Sequence, residues 1–157
     1  GTIFSGEWVE DEIEGKGIAN YPDNTIYEGM FKQSEYHGYG AIRFESGYTY
    51  EGNWKEGKRN GIGKATFADG MIYEGDYLDG ERHGIGTITL PDGFKYTGDW
   101  KYGEITGVGI ATYANGDIYE GSFVKGKRQG RGTIKFASGK SSSGKWDDGA
   151  LVETGSD

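Results

Sequence analysis

Cysteine is absent from these 157 residues, which removes disulfides, thiolate metal sites and cysteine nucleophiles at once and leaves the redox compartment open. Proline occurs only twice, so 31 glycines do not make a collagen-like composition. No run approaches the roughly 18 consecutive apolar residues of a spanning helix, and no signal-peptide pattern opens the chain. The chain as it stands is expected to be soluble. With 34% hydrophobic residues it is too polar to fill a thick two-layer core. What it does have is aromatic, with 12 Tyr and 4 Trp, and disordered glycine-rich chains rarely carry so many rings. The first residue is Gly1 rather than Met and Phe4 already lies inside a repeat, so an upstream segment, with any targeting signal, is expected to have been removed. An intracellular or membrane-peripheral setting is favoured.

The rings recur. Phe4-Ser-Gly6-Glu-Trp8 is followed by Tyr27-Glu-Gly29-Met-Phe31, Tyr50-Glu-Gly52-Asn-Trp54, Tyr73-Glu-Gly75-Asp-Tyr77, Tyr96-Thr-Gly98-Asp-Trp100 and Tyr119-Glu-Gly121-Ser-Phe123, each step being 23 residues. A worn copy, Ser142-Ser-Gly144-Lys-Trp146, closes the series. Each complete copy adds a Gly-x-Gly pair at fixed offsets, from Gly15/Gly17 to Gly130/Gly132. Both segments of a copy have period 2 and so read as strands with one special face. Turns such as Glu56-Gly57 on one side and Pro22-Asp23-Asn24 or Asn115-Gly116-Asp117 on the other supply hairpin chemistry. The expected fold is all-β: an elongated, single-layer, twisted antiparallel sheet of tandem hairpins, six copies complete and one partial. It should hold about 13 short strands in a ribbon about 60 Å long. The whole of 1–157 is expected to be one domain, with copies starting at 4, 27, 50, 73, 96, 119 and 142.

Glycine on the ring-bearing face needs a steric reason. Rings lying flat across a bare backbone strip would let a single layer stabilise itself by aromatic packing instead of a second layer. A second period overlies the first. Copies with Trp54 or Trp100 carry Ala65 or Ala111 near their end, whereas copies with Phe31, Tyr77 or Phe123 carry Ile42, Ile88 or Ile134. This suggests volume compensation within a 46-residue pair, the alternative being recent duplication of such a pair.

The pattern Tyr-Glu-Gly-x-(Trp/Phe)-x-x-Gly-x-x-x-Gly-x-Gly, as in Tyr50 to Gly63 and Tyr119 to Gly132, resembles the MORN repeat over essentially the whole chain. The resemblance implies single-layer hairpin ribbons, often grooved, with roles in scaffolding, peptide binding, dimerisation and phospholipid binding. Ser34, Ser142 and Glu153 depart from the repeat, the last two marking a frayed or capping end.

Chemistry is hard to find. His37 and His83 occupy one repeat position two copies apart, roughly 19 Å at sheet spacing, too far to share a metal. Gly61-Ile-Gly63-Lys64-Ala65-Thr66 lacks the spacing of a phosphate loop. Asp147/Asp148 and Asp11/Glu12 read as solvated turn charges, and Ser141 to Ser143 has no base beside it. No catalytic residue, metal or cofactor is assigned, and no nucleic acid or small-molecule substrate is expected. The expected function is a non-catalytic interaction scaffold that binds a partner segment, or itself, through an aromatic groove and charged ends, with Tyr27, Tyr50, Trp54, Tyr73, Tyr96 and Trp100 as candidate anchors. Charge is polar along the chain. Residues 4–26 hold six acids against Lys16, while 119–141 hold Glu120 against six bases. Lys125, Lys127, Arg128 and Arg131 therefore form a candidate basic patch for self-association. The alternative is a peripheral membrane or phosphoinositide contact through the same four, against the overall charge of -8.

Overall fold

The computed structural model describes residues 1–155; the end expected for the domain at 157 lies outside the described residues. The fold is all-β and antiparallel, with strand order β1 to β14 following the chain. Two compact units divide it, Gly1–Glu81 and the part from Arg82 onward. The first holds β1 (Ile3–Val9), β2 (Glu12–Asn20), β3 (Ile26–Lys32), β4 (Glu35–Arg43), β5 (Thr49–Lys55), β6 (Lys58–Thr66) and β7 (Ile72–Leu78). The second holds nearly all of β8 (Glu81–Thr89), then β9 (Lys95–Lys101), β10 (Glu104–Thr112), β11 (Ile118–Val124), β12 (Lys127–Lys135), β13 (Ser141–Asp147) and β14 (Ala150–Thr154). The worn seventh copy thus makes a hairpin of its own, giving 14 strands where about 13 were expected. It keeps the Asp148-Gly149 turn, Gly144 and the buried Trp146, whose indole donates to the Gly132 carbonyl at 3.0 Å.

Two turn types alternate. Glu56 (φ 50°) and Gly57 (φ 79°) both sit in the left-handed region, the mirror-image turn whose twist matches that of the strands it joins. The turn amide of Gly57 donates to the Tyr36 carbonyl in the preceding copy at 2.9 Å, and Gly126 does the same to Ile105 at 2.8 Å. Ser34, lacking glycine's freedom, adds a side-chain contact: its hydroxyl accepts from the Ile13 amide at 3.1 Å. A side chain 19 residues earlier holds the first turn residue as well. Glu14, His37 and Asn60 accept from the amides of Gln33, Glu56 and Asp79, and His83, Thr106 and Gln129 serve the second unit in the same way. The two histidines are therefore turn-holding acceptors through Nδ1. At the other end Asp23, Asp69 and Asp92 each accept from the amide two residues on, fixing the turn as Asx motifs do.

The core is the expected ring-on-glycine strip. In β5–β6, Tyr50 faces Ala65, Gly52 faces Gly63 and Trp54 faces Arg59, with a bulge between Gly52 and Trp54. The bulge frees the Asn53 carbonyl from the ladder, and the Tyr50 hydroxyl donates to it at 2.8 Å. The same bond recurs from Tyr27 to Met30, Tyr73 to Asp76, Tyr96 to Asp99 and Tyr119 to Ser122. This is why the first ring is Tyr and not Phe in the second to sixth copies. The next ring stands edge-on to it, as in Tyr50–Trp54 at 5.0 Å and Tyr119–Phe123 at 5.0 Å, the arrangement that ring quadrupoles favour.

From the second copy on, the second ring leans backward. Trp54 donates its indole N–H to the Gly40 carbonyl of β4 at 3.0 Å, and Trp100 to Gly86 of β8 at 2.9 Å. Gly40 and Gly86 each lie two residues before an Ile, Ile42 and Ile88. Phe31 lies instead over Gly17, beside Ala19. The larger ring therefore meets the strand carrying the larger aliphatic, and compensation between Trp54 and Ala65 inside one copy does not describe the contact. Ala65 is nevertheless fully buried. Ala65→Ile is expected to destabilise by about 1–3 kcal/mol through overpacking, read from urea unfolding; an unchanged or raised midpoint would show that the site has room.

Candidate functional site

In the first unit the ring-bearing face leaves open space beside the glycine strip. In the first unit Tyr36, Ile42, Phe44, Tyr48, Trp54, Gly57 and Arg59 line a hollow of about 500 Å³. A second hollow, of about 300 Å³, shares Tyr36 and Gly57 with it and adds Phe4, Tyr21, Ser34 and Glu35. Tyr36 divides the two. Its ring stacks on Tyr27 at 3.7 Å with planes 7° apart, meets Trp54 edge-on at 5.1 Å, and its hydroxyl bonds that of Tyr21. One wall is a run of rings: Phe44 to Tyr48 at 5.6 Å and Tyr48 to Phe67 at 5.0 Å.

Arg59 supplies the charge. One Nη donates to the Tyr48 hydroxyl, the other to the Gly80 carbonyl at 2.7 Å, and the guanidinium lies 5.2 Å from the Tyr77 ring centre. Arg128 does the same in the second unit, lying 4.7 Å over Trp146 and donating to Gly149 at 2.8 Å. Arg82 covers Trp100 at 4.9 Å. In the first unit the two preceding copies carry Ile13 and Tyr36 at this position, so the hollow has a ring on one side and a guanidinium on the other.

The candidate anchors separate on this geometry. Tyr27, Tyr50, Tyr73 and Tyr96 are 0% exposed, their rings being used within the strip, and Trp100 is 5% exposed beneath Arg82. Among these six only Trp54, 8% exposed, lines the larger hollow. Tyr36, Phe44, Tyr48 and Arg59 were not singled out from the sequence. For the two tyrosines the signal was departure from the repeat, since Tyr48 stands where other copies have Thr25, Met71, Phe94, Asp117 and Lys140 and Tyr36 where they have Ile, Arg or Leu, whereas Phe44 and Arg59 recur at their positions.

The four basic candidates do not converge. Arg128, opposite Phe123, belongs to the ring-bearing face and is half-buried. Arg131, three residues on and opposite Lys145, belongs to the other face. Lys127 is ion-paired with Asp148 at 2.8 Å, an exposed contact of small energetic weight, and Lys125 sits in the turn itself. Among the described residues no three His, Asp or Glu side chains are grouped so as to hold a metal.

Burial leaves a titration signature. It raises the tyrosine hydroxyls of Tyr27, Tyr50, Tyr113 and Tyr119, and pushes Tyr96 up to about 12. Because the unfolded chain releases these protons near pH 10 and the folded chain later, their stabilisation is complete below about pH 10 and is lost as pH rises toward about 12. Each such tyrosine contributes a loss of roughly 1.4 kcal/mol per pH unit in that window. Unfolding midpoints from pH 9 to 12 should fall with a slope several tyrosines steep; a flat profile would mean that the rings ionise in place.

A family model described as the MORN repeat matches residues 4–26, 27–47, 50–72, 73–95, 96–118 and 119–141. Alsin from mouse and from human is 33% identical over 42 residues, 27% of this chain but 2% of either relative, so the chain spans only a small fraction of the curated proteins it matches. Among solved structures, the TCP domain of SAS-4 from Drosophila melanogaster, solved with a proline-rich motif of Ana2, superimposes with a TM-score of 0.52 at 16% identity, covering 82% of this chain and 71% of that one. That likeness is one of fold. MORN repeats are generally non-enzymatic interaction modules, and with six consecutive matches spread over most of its length this chain belongs to the MORN-repeat family.

Proposed function

We propose that the protein is an interaction scaffold that holds an extended segment of a partner protein in the ring-lined hollow of its first unit. The observation that carries this reading is the convergence of Tyr36, Phe44, Tyr48, Trp54 and Arg59 on one open, largely apolar space. Its walls are ring faces and edges, and β4, β5 and β6 are already paired on both sides, so an incoming segment has no strand edge to extend there. A polyproline-type segment suits such a surface, because its backbone needs no ladder and its conformation is largely preformed. The fold relative solved with a proline-rich motif is consistent with that choice. The first unit carries 16 acids against 7 bases, which favours basic residues flanking the apolar anchor. The lipid reading has weaker support, since Lys127 and Arg128 are engaged within the chain and Arg131 faces the other way.

Selection from a displayed library of random 12-residue peptides tests the reading. Wild-type protein should enrich sequences with proline and a basic residue, and those sequences should lose at least about tenfold in affinity, roughly 1.4 kcal/mol, against Phe44→Ser/Tyr48→Ser. Phe44 is 39% exposed and Tyr48 half-buried, so the variant is expected to keep its circular dichroism. Peptides that bind wild type and variant equally would place the binding surface elsewhere.

A further inference from the structure

The second residue of each even strand from β2 to β12 is Ile13, Tyr36, Arg59, Arg82, Ile105 or Arg128 in turn. Where it is arginine, the guanidinium makes the same two contacts. It lies over the second ring of the next copy, Arg59 at 5.2 Å from Tyr77, Arg82 at 4.9 Å from Trp100 and Arg128 at 4.7 Å from Trp146. It also donates to the carbonyl of the turn glycine 21 residues on, Gly80 at 2.7 Å, Gly103 at 3.5 Å and Gly149 at 2.8 Å. A turn carbonyl stands outside the strand ladder and takes its donor from elsewhere. With an arginine on each, Gly80, Gly103 and Gly149 are half-buried.

Tyr36 breaks the series. Its ring stacks on Tyr27 and its hydroxyl bonds Tyr21, so among the described residues no donor reaches the Gly57 carbonyl 21 residues on, and Gly57 is exposed. Gly57 belongs to the smaller hollow, together with Tyr36, Phe4, Tyr21, Ser34 and Glu35. Glu35 is the one charged residue of that lining, and Lys32, opposite it in the ladder, offsets part of its charge. The chain thus leaves open, beside rings and a carboxylate, the carbonyl that its own arginines cover elsewhere. Gly126 is exposed in the same way where Ile105 stands, but Ile105 offers no ring, and Lys125 precedes that glycine where Glu56 precedes Gly57.

We infer that the smaller hollow binds an arginine side chain of the partner segment. Its guanidinium lies against the Tyr36 ring and donates to the Gly57 carbonyl, as Arg59, Arg82 and Arg128 donate to theirs, and to the Glu35 carboxylate. The inference rests on the reading that a partner segment occupies the ring-bearing face, and it gives that segment an order: apolar residues in the larger hollow, arginine in the smaller, with Tyr36 between them. Lysine is the poorer fit, because a compact ammonium neither stacks on a ring nor presents two donors in one plane.

Titration of the full isotope-labelled chain with N-acetyl-arginine amide and with N-acetyl-lysine amide tests this without a selected peptide. The arginine probe should saturate with a Kd on the order of 10 mM, and the lysine probe should bind at least about threefold more weakly. Shifts should centre on the amides of Tyr36, Gly57 and Lys58, the last because its N–H shares a peptide unit with the Gly57 carbonyl. Tyr36→Arg, which supplies the guanidinium from within the chain, should abolish them. Should that variant unfold by circular dichroism, Glu35→Gln is expected to weaken the arginine probe at least about twofold in its place. In a peptide selected on the wild type, replacing arginine by lysine should cost at least about tenfold in affinity. Equal binding of the two probes, shifts that bypass Gly57 and Lys58, or arginine binding that survives Tyr36→Arg would each overturn the proposal, even with selected peptides still held in the larger hollow. Arginine saturating at Gly57 while no selected peptide binds either hollow would support the arginine site and remove the partner-segment reading instead.

Discussion

Gly63→Ala is expected to cost about 3 kcal/mol or more, enough to unfold much of a marginally stable domain. A methyl group there would come inside 3.0 Å of the hydroxyl and two ring carbons of Tyr50. The ring cannot retreat. It is 0% exposed, anchored by its bond to the Asn53 carbonyl, and edge-packed on Trp54 and Tyr77. The backbone of Gly63 is not in the left-handed region, so the loss is steric and owes nothing to φ. Gly57→Ala is the matched control. Its new methyl would meet nothing within 4 Å, but φ is 79°, so it should cost only about 1 kcal/mol from left-handed strain. Urea midpoints at constant m compare the two; equal losses would mean that the glycines serve turns and flexibility, and that the ring-on-glycine contact is not what holds the layer.

Tyr96→Ala should lose about 3–5 kcal/mol, and Tyr96→Phe about 1–2 kcal/mol. Alanine removes a fully buried ring that stands edge-on to Trp100 at 5.7 Å and Phe123 at 5.2 Å, and bares the Gly109 strip beneath it. Phenylalanine keeps the ring and removes only the donor to the Asp99 carbonyl, bonded at 2.8 Å in the bulge. The size ordering separates packing from hydrogen bonding. Were Phe as damaging as Ala, the bulge bond would be the principal stabiliser; were Phe harmless, water would be satisfying the carbonyl. Phe4 holds this position in the first copy without a hydroxyl, and it is 38% exposed.

The period of 23, the two turns and the flat rings were legible because each depends on local chemistry: period-2 alternation, left-handed turn positions and glycine where a ring must lie. Trp8 shows what the repeat pattern conceals. It occupies the same position as Trp54, Trp100 and Trp146, yet it is 55% exposed, because those three lie against the strand before their own and β1 follows none in this structure. The backward lean also defeated the compensation reading, since spacing within a copy does not reveal which neighbouring strand a ring covers. The burial of four of the candidate anchors has a related reason. The rings that recur are the ones the fold consumes, so Tyr27, Tyr50, Tyr73 and Tyr96 mark the strip, whereas Tyr36 and Tyr48, which do not recur, mark the hollow. Charge per copy was legible, but the face on which each charge emerges required the register: Arg128 and Arg131 are three residues apart and point to opposite sides.

The most direct test of the scaffold reading is a titration of isotope-labelled protein with a selected proline-containing peptide, followed by amide chemical shifts. Binding in the hollow predicts shifts concentrated at Tyr36, Ile42, Phe44, Tyr48, Gly57 and Arg59, with Val108, Arg131 and Lys145 unmoved. Shifts centred on the opposite face, or along the outer edge of β1 or β14, would contradict it.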